Sequence, residues 1–251
     1  MQHIIFLHGF CENSTMWDEV CDHLDVRWNV HVLDLPGFGE NTNPVNSISE
    51  MVDAVIEYMD KAGIERVCVF GHSMGGYVAL DMLDRFPSRI IGIGLVHSHG
   101  YADSLEVHQK RQKQIEFLER QPVDLFLKPF SRQLVGETNS NDKLLEKAYN
   151  LVKRTPSESV IAATRAMMKR PDRSELLQNT QVPVAWLIGK EDRFIDLPSI
   201  EKQAIDTANN YITIWENVGH LAPLEVPQKT AQWLKEVLSW MVSVNVTVDT
   251  Q

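Results

Sequence analysis

The stretch Val67-Cys68-Val69-Phe70-Gly71-His72-Ser73-Met74-Gly75-Gly76-Tyr77 decides the reading of this chain. Four apolar residues, three of them of strand-favouring type, run into a glycine and stop. After the second glycine, Val78, Leu80, Met82 and Leu83 recur at helical spacing. The segment therefore reads as strand, sharp turn and helix, with a G-x-S-x-G arrangement centred on Ser73. The glycines have a spatial reason. In so tight a turn a Cβ at position 71 or 75 would collide with neighbouring backbone. Ser73 is expected in a strained conformation that lifts its Oγ above the sheet. The helix N-terminus beneath it favours developing negative charge.

Working outward, the same kind of apolar run recurs at His3–Leu7, Val30–Leu33, Ile90–Val96, Val182–Ile188 and Tyr211–Trp215. These runs are rich in Val and Ile and do not alternate with polar residues, as strands buried on both faces of a parallel sheet do not. Between them lie helical patterns, such as Met51, Val55, Tyr58 and Met59. Strand and helix in alternation predict an α/β fold with right-handed crossovers. About 80 residues between His97 and Val182 break the alternation. Helices are expected there at Asp103–Arg120, Pro122–Phe130, Asn141–Thr155 and Pro156–Lys169, the last with Thr155 as its cap and Pro156 in its first turn. The predicted division is a core of residues 1–97 and 181–241, a helical cap of 98–180 and a tail of 242–251. Such an insertion lies over the C-terminal strand ends, where open α/β sheets bind ligands, or simply covers the sheet. In the tail, Val242, Val244, Val246 and Val248 alternate with Ser243, Asn245 and Thr247. That period of two reads as an extra strand beyond a helix at Thr230–Trp240, or as a frayed end.

A serine hydroxyl is a weak nucleophile until a base takes its proton. Gly219-His220 follows the last apolar run and offers one. Gly189-Lys190-Glu191-Asp192 follows the run before it and offers a carboxylate to fix the imidazole tautomer. The order Ser73, Asp192, His220 is that of serine, acid and histidine in one large group of hydrolases. Glu191 and Asp196 are alternative acids, and G-x-x-D spacing favours Asp192. His8 is expected to bond local backbone, and His72 to point away from the reaction and pack. His97 and His99 follow one strand; no third metal ligand is apparent, and they are free to line a pocket. Phe126, Phe130, Met167 and Met168 are expected to pack between helices, with a pocket wall as their second role. Cys11 has no basic neighbour to favour a thiolate.

On His8-Gly9-Phe10, Asp34-Leu35-Pro36-Gly37-Phe38-Gly39, Gly71-His72-Ser73-Met74-Gly75-Gly76, Gly189 with Asp192, and Gly219-His220, the chain resembles the α/β-hydrolase superfamily from His3 to about Trp240. Within it, the chain looks like small esterases with a helical cap. The resemblance implies Ser73 as nucleophile, His220 as base and Asp192 as acid. It also implies an oxyanion hole from the backbone N–H groups of Phe10 and Met74, and no cofactor or metal. Two strands that precede the His-Gly strand in the full fold have no counterpart here, so a mostly parallel sheet of about six strands is expected. Asn41 stands where members often carry serine.

Of 251 residues, 43% are apolar, enough for a sizeable core in one large domain or two small ones. A net charge of −10 argues against nucleic-acid binding. The charge is uneven: residues 99–180 hold 14 basic and 11 acidic side chains, a net of +3, and the remainder carries −13. Lys110, Arg111 and Lys113 therefore either solvate an exposed helix or select an acidic substrate. No run of about 18 apolar residues predicts a membrane span. No secretory leader is visible, and Cys11, Cys21 and Cys68 lack metal-site spacing, which fits a reduced cytoplasmic setting. The expected activity is ester cleavage on a small to medium acyl substrate by a monomer or homodimer. Carbon–carbon bond hydrolysis or a lyase reaction on the same triad, and a slow-turnover ligand receptor, are the rival readings.

Overall fold

The computed structural model describes residues 2–24 and 27–248. Six strands, β1 (Gln2–Leu7), β2 (Trp28–Leu33), β3 (Val67–His72), β4 (Ile90–Val96), β5 (Val184–Gly189) and β6 (Asn210–Trp215), form one sheet in the order β2-β1-β3-β4-β5-β6. Every neighbouring pair is parallel. The helices are α1 (Asp18–Cys21), α2 (Ile48–Lys61), α3 (Met74–Arg85), α4 (Leu105–Leu118), α5 (Asp124–Leu134), α6 (Asp142–Val152), α7 (Ser157–Met168), α8 (Ser174–Asn179), α9 (Leu197–Asp206), α10 (Ala222–Glu225) and α11 (Pro227–Val248). The α/β fold with a six-stranded parallel sheet is the one the apolar runs predict. Among the described residues no helix is long and apolar enough to cross a membrane.

Register fixes where chemistry can occur. Leu7 pairs with Gly71, His72 with Val96, Val96 with Leu187, and Gly189 with Trp215. The loops that follow β1, β3, β4, β5 and β6 therefore leave one edge of the sheet side by side. Strain gathers at the same edge. The non-glycine residues with positive φ, among those described, are Cys11, Ser73, His97 and Asn217, each just past a strand. Such backbone persists only where its surroundings over-determine it.

Helices α4 to α8 occupy the interval between β4 and β5, with no strand among them. The start of α7 differs from the expectation. Pro156 is itself the N-cap, and Thr155 does not cap the helix; its hydroxyl donates to the Cys11 carbonyl at 2.8 Å. The extra strand, one of two readings of the 242–251 tail, is corrected, because α11 continues through Val248; residues 249–251 lie outside those described. The reason is the preceding stripe. Ala231, Leu234, Leu238 and Met241 are buried at helical spacing, and Met241 fills the space that Gly92 of β4 leaves open. No Gly or Pro follows to stop a helix already anchored, so the alternating valines join it.

The core centres on β1 and β3. Phe70 is fully buried, 5.7 Å from the Phe6 ring and 6.0 Å from that of Trp233. Phe70→Ala is expected to cost about 3–5 kcal/mol of stability, read as a lower urea midpoint with an unchanged m-value.

Candidate active site

Ser73 stands at φ 48° and ψ −112°, between β3 and α3. A Cβ on Gly71 would overlap the Gly75 backbone, and one on Gly75 would lie 2.7 Å from the Leu7 and His8 carbonyl oxygens. The turn is tied down by Ser73 N–H to the Val96 carbonyl at 2.9 Å and by the Ser98 hydroxyl to the Ser73 carbonyl at 2.7 Å.

Asp192, just past β5, accepts from His220 Nδ1 at 2.6 Å and His97 Nδ1 at 3.0 Å through the same oxygen, Oδ2. Its other oxygen accepts from Phe194 N–H at 2.8 Å. Burial alone would raise this carboxyl. The charge of His220 and the hydrogen bonds from His220 and His97 outweigh it and hold it well below the usual carboxylate range. The alternative acids are engaged elsewhere, Glu191 by Thr138 and Asp196 by Ser199. Ser73, His97, His220 and Phe10 line one cavity of about 1330 Å³. A sequence model of the alpha/beta hydrolase fold family matches residues 2–243. The chain belongs to the α/β-hydrolase fold family.

This α/β hydrolase is similar over most of its length to proteins of several activities. A thermophilic esterase from Thermogutta terrifontis, solved with malate bound, superimposes with a TM-score of 0.90 at 27% identity, covering 96% of this chain and 90% of that one. A pimeloyl-[acyl-carrier protein] methyl ester esterase of Yersinia enterocolitica is 27% identical over 76% of each protein. A 2-hydroxy-6-oxononadienedioate/2-hydroxy-6-oxononatrienedioate hydrolase of Klebsiella pneumoniae is 26% identical over 88% of this chain and 82% of its own. Two other curated relatives are longer, and the match spans 55% and 28% of their lengths.

The histidines divide by partner. His8 donates from Nδ1 to the Gly9 carbonyl at 2.8 Å and accepts Leu35 N–H on Nε2 at 3.0 Å, a backbone role as expected. His99 stands apart from His97: it accepts Tyr101 N–H at 3.2 Å, lies 3.3 Å from the Tyr77 hydroxyl and lines the cavity. Burial, then the nearby Arg170 charge, push it down to about 4. His97, Asp192 and His220 offer ligand atoms within 4.8 Å of one another. Both Nδ1–Oδ2 separations are hydrogen-bond lengths, so each Nδ1 facing Asp192 carries a proton and not a free lone pair for a cation. His97 does more than line a wall, since it is the second donor to Asp192. His72 is not merely packed either. Its Nδ1 meets Glu12 Oε2 at 2.8 Å and its Nε2 meets the His220 carbonyl at 2.7 Å.

Glu12 escaped the sequence reading. It is buried beside the cavity, accepts Gly9 N–H at 2.6 Å, and pairs with a residue 60 positions away. Its one local signal is its place two residues after Phe10. Phe126, Phe130 and Met167 line the cavity, whereas Met168 does not. Cys11 is buried, and burial followed by the Glu12 charge raises its thiol well above the ordinary value, so no thiolate is favoured.

Burial pushes His97 down to about 4 despite its Asp192 bond, so it is neutral near pH 7. Its folded value lies below its unfolded value of about 6.5. The unfolded chain therefore binds the extra proton first, and stability falls as pH drops from about 6.5 to 4, by roughly 3 kcal/mol for such a group. A His97→Gln variant should lose less stability across that window in urea unfolding; an identical pH dependence would contradict this.

Proposed function

We propose that this α/β hydrolase cleaves carboxylic esters of small to medium acyl substrates through an acyl-enzyme on Ser73. The observation that carries the reading is the 2.6 Å bond from His220 Nδ1 to Asp192, with His220 and Ser73 on one cavity wall. That bond leaves the opposite ring nitrogen, Nε2, to act as base. Ser73 Oγ attacks the carbonyl as His220 takes its proton. Phe10 and Met74 N–H groups receive the oxyanion, and among the described residues neither has a protein acceptor. The leaving alcohol takes the proton from His220, and water activated by His220 then releases the acid. Helices α4 to α8 act as the cap. The second reading, cleavage of a carbon–carbon bond, is supported by the Klebsiella hydrolase, and the same triad serves it.

The cap also supports a substrate class. Lys110 and Glu106 are both exposed on the cavity lining and pair with each other at 2.7 Å, so their charges balance there. Arg111 turns inward, with Nε 2.8 Å from Asp103 and Nη1 on the Met167 sulfur at 3.5 Å. Arg170 shares Asp103 at 2.5 Å. Two guanidinium groups on one carboxylate leave a positive charge over at the cavity wall, where a substrate carboxylate would meet it.

Ser73→Ala is expected to lower kcat on p-nitrophenyl esters by about 10⁴-fold or more and to abolish labelling by a fluorophosphonate probe. Full activity in that variant would refute the mechanism. Arg111→Gln is expected to lower kcat/KM about tenfold on a hemi-ester carrying a free carboxylate and to leave a neutral ester of equal length unchanged. Equal losses on both would remove the acidic-substrate reading and leave the serine mechanism standing.

A further inference from the structure

We propose that Glu12 and His72 form a positioning pair that holds the oxyanion loop, the serine turn and the histidine loop in register, and that His72 works in its doubly protonated form. The inference rests on the roles proposed above for Phe10, Ser73 and His220. Three contacts carry it. Glu12 Oε2 accepts Gly9 N–H at 2.6 Å, one residue before Phe10. The same oxygen meets His72 Nδ1 at 2.8 Å, one residue before Ser73. His72 Nε2 then meets the carbonyl of His220 itself at 2.7 Å. A carbonyl oxygen only accepts, so Nε2 must carry a proton. The Nδ1–Oε2 contact holds a second proton, shared with a carboxylate that already accepts an amide. Both ring nitrogens are thus engaged as donors.

The surroundings are built for this pair. Cys11, at φ 65°, bends the loop so that Glu12 points inward, and the bend is held from outside by the Thr155 hydroxyl on the Cys11 carbonyl. A Cβ on Gly9 would lie 2.6 Å from both Glu12 Oε2 and His72 Nδ1, so the position has room for the pair only as glycine. The charged or titratable groups around His72 are Glu12 and His8 from the loop after β1, His97 from that after β4, Asp192 from that after β5, and His220 from that after β6. Burial opposes the charge on His72, but Glu12 and the His220 carbonyl outweigh it and raise its pKa. Burial would likewise raise Glu12, and the charge and hydrogen bond of His72 bring it down. The pair is therefore complete between those two values. It is lost at the alkaline side as pH rises through the folded value of His72.

The test uses Glu12→Gln, which keeps the shape and removes the charge. Its kcat on p-nitrophenyl acetate is expected to fall at least tenfold with KM within twofold. The alkaline limb of kcat is expected to move down by one pH unit or more, because His72 loses the charge that holds its second proton. A folded variant with kcat within threefold of wild type, or with that limb in place, overturns the proposal; a purely structural pair would lower Tm alone. Should the variant not fold, ¹⁵N-histidine NMR of the wild-type protein decides. Protons on both His72 nitrogens at pH 7 are expected, and a singly protonated ring overturns the proposal. Fluorophosphonate labelling of the wild type keeps the two readings apart. Without labelling the serine mechanism fails, while the NMR result still stands for or against the pair.

Discussion

At Ser73 the chain leaves a strand and enters a helix within a single residue, in a conformation that costs an L-residue about 1–3 kcal/mol. The sheet makes that conformation the only one available. β3 lies between β1 and β4, so its end cannot move without breaking two ladders. The Val96 and Ser98 bonds hold the Ser73 amide and carbonyl from the β4 side. On the β1 side, Gly75 rests against the Leu7 and His8 carbonyls at a distance that admits no side chain. The strain is therefore sustained by strand pairing and by the burial of Phe70, Phe6 and Trp233 below the turn. Among the described residues, the other non-glycine positions with positive φ, Cys11, His97 and Asn217, also lie in segments that leave strand ends, with rigid sheet behind them.

Above that edge, burial and partners compete, and the outcome differs between neighbouring imidazoles. His72 and His97 are both removed from water, and their ring centroids are 6.0 Å apart. His97 bonds to Asp192 beside His220 and His72, whose charges oppose its own, and burial wins. His72 has the Glu12 carboxylate on one nitrogen and a carbonyl on the other, and the partners win. Two carboxylates and three imidazoles packed edge to face can thus lie together without mutual repulsion, because the protons are sorted by hydrogen bonding.

The sheet was legible because strands buried on both faces leave uninterrupted apolar runs, and no other feature of the chain imitates them. That Ser73, Asp192 and His220 lie together was legible for a related reason: each follows such a run, so strand ends and motif order point to the same place. The tail was not legible, since Val242 to Val248 carry a strand period while the residues that decide their state, Ala231 to Met241, lie upstream and packed. Glu12 was hidden because its meaning depends on His72, 60 residues on, and on a left-handed Cys11 that no local pattern requires. Thr155 looked like a helix cap from its neighbours alone, and tertiary structure gave its hydroxyl to Cys11 instead.

The helical segment between β4 and β5 contributes to two unlike walls of the cavity. An aromatic wall runs from Phe10 through Phe126 and Phe130 to Phe194, whose ring lies 5.0 Å from that of His220. Elsewhere Arg111, Asp103 and Arg170 form an ion-pair network on the lining. The same helices also hold the reacting loops. The Leu134 carbonyl at the end of α5 accepts His220 N–H at 2.9 Å, and Thr155 before α7 secures the loop of Phe10 and Glu12. A substrate that displaced these helices would therefore shift His220 and the oxyanion loop together. Under the proposed function, substrate selection and the alignment of the proposed catalytic groups would depend on the same few contacts, so a substitution in these helices made for specificity has to preserve the Leu134 and Thr155 bonds.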